Sequence, residues 1–166
     1  MERKQVILKE DFKELTQASM NSHLDPKVSH IVDVSSDSIK LLNIDMIEVK
    51  EYTYKDIDCV NLSMCSRYAG GSGRFGGIRT SINIDIDLVM KDETVLLEVI
   101  NPISFQKVID SLSNNNIEIV DIVGVVNLYQ QYPIYEKRVQ YLEMHFNELS
   151  KKYQLDHPRF KSRFKN

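Results

Sequence analysis

Two runs of strict alternation dominate the middle of the chain. In the first, Val60, Leu62, Met64 and Tyr68 share one face of an extended segment, and Cys59, Asn61, Ser63, Cys65 and Arg67 share the other. In the second, Ile78, Ile82, Ile84, Ile86 and Leu88 alternate with Arg79, Ser81, Asn83, Asp85 and Asp87. A period of two belongs to a strand with one buried and one solvated face. Two matched runs around one loop predict a long antiparallel hairpin over 58–68 and 78–90. Lys91-Asp92-Glu93 then reads as a tight turn into a third strand, Thr94–Ile100.

The flanking segments are shorter. Residues 10–21 suggest a helix with Phe12 and Leu15 on one side, and Pro26 pushes Asp25 out of helical geometry. Val28, His30, Val32 and Val34 alternate as a strand, and another extended segment begins at Ile47 and runs toward Tyr54. Ser36-Asp37 is a candidate cap for a short helix carrying Ile39 and Leu42 and extending toward Ile44. Asn101-Pro102 reads as a helix start, followed by Phe105, Val108, Ile109 and Leu112 at helical spacing. A short strand over Ile117–Val120 and a helix over 122–131, with Gly124 a weak point, come next. Pro133 opens the last helix, whose stripe is Tyr135, Val139, Leu142, Phe146, Leu149 and Tyr153. That stripe either docks on the domain's own core or forms a seam with a second chain.

These elements predict an α+β fold: an antiparallel sheet of about 4–6 strands with a long central hairpin, covered by helices, its C-terminal helix docked on the core. Residues 1–156 read as one domain and 157–166 as a basic C-terminal tail. Hydrophobic residues make up 42% and charged residues 27%, which supports a folded globule over a disordered chain.

Charge sharpens the division between body and tail. Residues 151–166 carry six Lys/Arg and one acid, whereas the preceding 150 carry 15 basic and 23 acidic groups. An acidic body disfavours nucleic acid as the main partner, and a basic tail leaves it open. Cys59 and Cys65 lie six positions apart. On one strand that separation is roughly 20 Å, too far for a disulfide. Two free thiols fit a reducing compartment. Val6-Ile7-Leu8 is too short for a signal peptide, and no apolar run approaches the ~18 residues of a spanning helix, so a cytoplasmic, non-membrane protein is expected. Only two alanines, Ala18 and Ala69, beside abundant Ile, Asn and Lys suggest an AT-rich bacterial or phage genome.

Five of the six glycines fall between Gly70 and Gly77, in the loop of the predicted hairpin. Around Gly70, Gly71 and Gly73 stand Arg67, Tyr68, Arg74, Phe75 and Arg79. Glycine permits close backbone approach, and arginine forks suit phosphate or carboxylate. Arginine beside aromatic rings also suits stacked bases. The favoured reading of the segment is a mobile or partner-contacting hairpin tip. Gly71, Gly73 and Gly76 complete a formal G-x-G-x-x-G, but a strand follows where the dinucleotide motif needs a helix. No phosphate-loop lysine follows either.

Asp85, Asp87 and Glu98 form the best acidic constellation, suited to metal-dependent hydrolysis, but Glu98-Val99-Ile100 lacks the lysine that nucleases of the PD-(D/E)xK type place there. His23, His30, His145 and His157 are scattered, and no zinc spacing or cofactor motif is present. The leading expectation is a non-enzymatic protein-interaction module of inhibitor, immunity or mobile-element accessory type, monomeric or weakly dimeric, using the glycine-rich tip and an exposed sheet face. A nucleotide, nucleic-acid or other anion binder working through the loop arginines is the alternative. A metal-dependent hydrolase is third.

Overall fold

The computed structural model describes residues 3–15, 29–69 and 79–157. In chain order the elements are β1 (Lys4–Leu8), α1 (Lys9–Leu15), β2 (Ser29–Val34), β3 (Ser38–Leu42), β4 (Glu48–Thr53), β5 (Ile57–Ala69), β6 (Arg79–Met90), β7 (Thr94–Val99), α2 (Phe105–Asn114), β8 (Glu118–Val120), α3 (Val125–Gln131) and α4 (Tyr135–Tyr153). The α+β class stands, but the sheet is mixed rather than antiparallel and has eight strands among the described residues, in the order β4-β3-β2-β1-β7-β6-β5-β8.

The central hairpin forms as predicted. Val60 opposes Leu88, Leu62 opposes Ile86 and Met64 opposes Ile84, and all six are buried. The parallel pairs were not foreseen. β1 lies parallel to both β2 and β7, and β8 lies parallel to β5. Val6, Ile7 and Leu8 are each 1% exposed or less, because β1 sits inside the sheet and is covered on both faces. Such a strand shows a short apolar run and no alternation.

Ser36-Asp37 does not cap a helix. Residues 38–42 form β3, paired with β2 and β4. Ile39 and Leu41 are buried on one face and Ser38 and Leu42 on the other, so apolar positions three apart mimicked a helical stripe. The helix expected over 10–21 is α1, which is seen from Lys9 to Leu15; residues 16–28 lie outside the described residues. Gly124 is not inside α3 but is its N-cap, in the left-handed region at φ 85°. The Asp121 carboxylate accepts hydrogen bonds from the backbone N–H groups of Gly124, Val125 and Val126 at 2.8–2.9 Å, satisfying donors the first turn leaves open. Helix α2 starts at Phe105 rather than at Pro102, and the N–H of its N-cap Ser104 donates to the buried Asp11 carboxylate at 3.0 Å.

Helices α2, α3 and α4 cover one face of the sheet. Phe105, Val108, Ile109, Leu112, Leu128, Tyr129, Leu142 and Phe146 pack there in one cluster with the inward residues of β5, β6 and β7. The C-terminal helix therefore docks on the core, with Leu142 and Phe146 buried. On the other face α1 sets Phe12 against Ile7, Ile31 and Leu42. No helix among the described residues is long and apolar enough to cross a membrane.

Candidate functional site

The β5–β6 hairpin carries two distinct chemical environments, one on each face. Alternation separates them: Met64 and Ile84 point toward the helices, and Cys65 and Asp85 point away.

The outer face was expected to be wet. It is not, around the middle of the hairpin. Cys65 is 0%, Asn83 2%, Glu98 3% and Asp85 4% exposed. The ladder itself assembles them, since Cys65 opposes Asn83 on β6 and Asp85 opposes Glu98 on β7. Two arginines from distant parts of the chain make their burial tolerable. Arg67 grips Glu98 with Nε at 3.2 Å to both oxygens and a terminal nitrogen at 3.0 Å, and also pairs with Asp156. Arg3 bridges Asp85 and Asp87 at 3.1 Å to each. Asn83 Nδ2 donates to Glu98 at 2.7 Å, and Cys65 Sγ donates to Asp85 at 3.4 Å.

Burial pushes the Asp85 carboxyl up from 3.8 to about 6, with Arg3 pulling the other way. Burial also raises Asp87. The Cys65 thiol is driven far up by burial and by the charges of Asp85 and Glu98, which makes it inert as a nucleophile. Of the acids expected to hold a metal, Asp85 and Glu98 do come together. Their partner is Cys65 rather than Asp87: one ligand atom from each of the three lies within 4.8 Å of the others. Both carboxylates are already committed to guanidinium groups, however. Any cation there would compete with Arg3 and Arg67.

Arg67 is paired with Glu98 and Asp156, and its side chain remains 32% exposed. Tyr68 and Arg79 stand in the ladder opposite Thr80 and Ala69. Gly70, Gly71, Gly73, Arg74 and Phe75 lie outside the described residues, as does the basic tail beyond His157.

The inner face holds the feature that pattern reading missed. Between α4 and the loop-side end of the hairpin is a cavity of about 190 Å³. Met64, Ile82, Ile84, Leu128, Val139 and Leu142 supply its apolar walls. Arg138, Tyr129 and Tyr135 add polar groups, and exposed Glu143 stands at the rim. Arg138 is 5% exposed. It donates to the carbonyls of Tyr132 at 2.7 Å and Pro133 at 3.3 Å, and its guanidinium carbon lies 3.8 Å from the Tyr129 ring centroid. Among the described residues no carboxylate comes within 4.0 Å of it. Tyr129 spends its hydroxyl on the Pro102 carbonyl at 2.6 Å, and burial raises its pKa and that of Tyr135. The only sequence signal for this site was a basic residue one position before an apolar stripe position, a pattern shared by most amphipathic helices.

No protein-family model, no curated protein and no solved structure matches the chain.

Proposed function

We propose that this protein is a protein-interaction module that anchors its partner through the cavity between α4 and the β5–β6 hairpin. The observation that carries this is the cavity's size and lining: about 190 Å³, walled by Met64, Ile82, Ile84, Val139 and Leu142. Sites for drug-sized ligands and cofactors usually span ~300–1,000 Å³, whereas an apolar hole of ~150 Å³ holds one benzene. The space therefore suits a single large apolar side chain and is small for a nucleotide. One buried anchor filling a pocket, ringed by weaker contacts, is how many interfaces concentrate their energy. Ser81 and Ile82, which line the cavity, follow Gly77 within five residues. The pairing of Arg67 with buried Glu98 and exposed Asp156 favours this over an anion site built on Arg67.

A second surface has its own observation. At the edge of the sheet formed by the described residues, the β3–β4 turn and β4 expose Ile44, Met46, Ile47 and Val49, with Ile47 and Val49 at 63% and 55%. Val49 falls at a bulge between the pairs Leu41–Lys50 and Leu42–Glu48, which blunts strand addition but leaves the apolar side chains available.

Photo-crosslinking in living cells of the native host separates the two. A photoreactive residue at Glu143, on the cavity rim, should capture a discrete partner, and filling the cavity by Val139→Phe should abolish the capture. Capture from Val49 alone would move the interface to the β3–β4 turn. Capture from neither position would reject the interaction module.

A further inference from the structure

Arg138 is an anomaly for a cavity that accepts only an apolar side chain. A guanidinium this buried normally has a carboxylate beside it, because an uncompensated charge in a low-dielectric site is expensive. Among the described residues its partners are two backbone carbonyls and the rings of Tyr129 and Tyr135. Carbonyls and a ring face satisfy donors and offset part of the charge, but they do not neutralise it. Among the described residues, the acids Asp11 and Glu143 stand near this wall. Asp11 accepts from the Ser104 N–H, and its field reaches Tyr129 and Tyr135. Glu143 lies exposed at the rim. Tyr135, whose ring centroid is 5.9 Å from the Arg138 guanidinium carbon, lines the same wall.

We propose that Arg138 binds a carboxylate carried next to the apolar group that fills the cavity, so that the site takes an amphipathic anion. This deepens the cavity reading above and rests on it. The chemistry is an apolar body of roughly six heavy atoms, set by the ~150 Å³ that holds a benzene ring, joined directly or through one carbon to a carboxylate. A free aromatic or aliphatic acid has it, and so does the C-terminus of a peptide ending in a large apolar residue. Arginine's fork matches a carboxylate with two parallel N–H donors, which a lysine cannot reproduce.

The test compares matched acid and neutral probes on the intact protein by methyl and amide NMR titration. Benzoate is set against benzyl alcohol, and N-acetyl-leucine against its amide. The expected result is saturable shifts at Ile82, Ile84 and Leu142, with each acid binding roughly ten- to a hundredfold more tightly than its neutral partner, the range for a hydrogen bond to a charged group. Arg138→Met should erase that preference while leaving neutral binding, and Arg138→Lys should keep only part of it. Should Arg138→Met fail to fold in a urea titration, the wild-type ratios and the lysine variant still decide. Benzoate binding better than N-acetyl-leucine would point to a free small acid, and the reverse to a peptide terminus; both support the site. Equal binding of acid and neutral probes in wild type would overturn the anion inference and leave the cavity reading intact. No binding of any probe, with Val139→Phe leaving partner capture unchanged, would overturn both.

Discussion

Asp85 offers a direct test of how the buried polar cluster is held. Its carboxyl is 4% exposed, and burial lifts it from 3.8 to about 6 against the pull of Arg3. Between those two values the native state holds a proton that the unfolded chain has released. Stability must therefore fall as pH rises through that window and level off above it, the reverse of an acid lowered by a salt bridge. At 1.36 kcal/mol for each pKa unit, the loss amounts to about 3 kcal/mol. Asp85→Asn keeps the shape and is neutral throughout. It forfeits the Arg3 contact, which sets a constant offset and not a slope. Asp87, raised in the same direction, titrates in both proteins and largely drops out of their difference. Urea titrations followed by circular dichroism at half-unit steps from pH 4 to pH 8 measure that difference. The variant's stability relative to wild type should climb by about 2–3 kcal/mol between pH 4 and pH 7 and then stay flat, the remainder of the change lying below pH 4. A difference independent of pH would refute the argument, and so would a difference that falls as pH rises. The first outcome would mean that Arg3 offsets the effect of burial on Asp85 in full, and the second that it outweighs it.

Two further outcomes follow from burial alone. Cys65 is fully buried with its thiol raised by its surroundings, whereas Cys59 is half-buried, so iodoacetamide should modify Cys59 in the native protein and reach Cys65 only through unfolding. Mass spectrometry reads this directly, and native labelling of Cys65 at the rate of Cys59 would contradict the packing described. Phe146 is 4% exposed, with its ring 5.3 Å from that of His157, so Phe146→Ala should destabilise the fold by about 3–5 kcal/mol in urea titration. Wild-type stability would mean that α4 is not docked through this ring.

The hairpin was legible in the amino-acid order because Val60, Leu62, Ile84 and Ile86 repeat with a period that only a strand satisfies. Helices α2 and α4 were legible for the same reason at a longer period. These are local properties, dictated by where successive side chains point along one element. Burial on both faces erases that signal. β1 gave only three apolar residues, and β3, with Ile39 and Leu42 turned to opposite faces, imitated a helix. Tertiary structure also decided the character of the polar face. Asn83, Asp85 and Glu98 look like solvent-facing residues in sequence, and nothing local brings Arg3 to within 3.1 Å of Asp85. The cavity and the burial of Arg138 beside it belong to the same class, because they depend on how α4 lies across the sheet. Charge compensation and empty space are relations between residues far apart in the chain, so no pattern read along it can contain them.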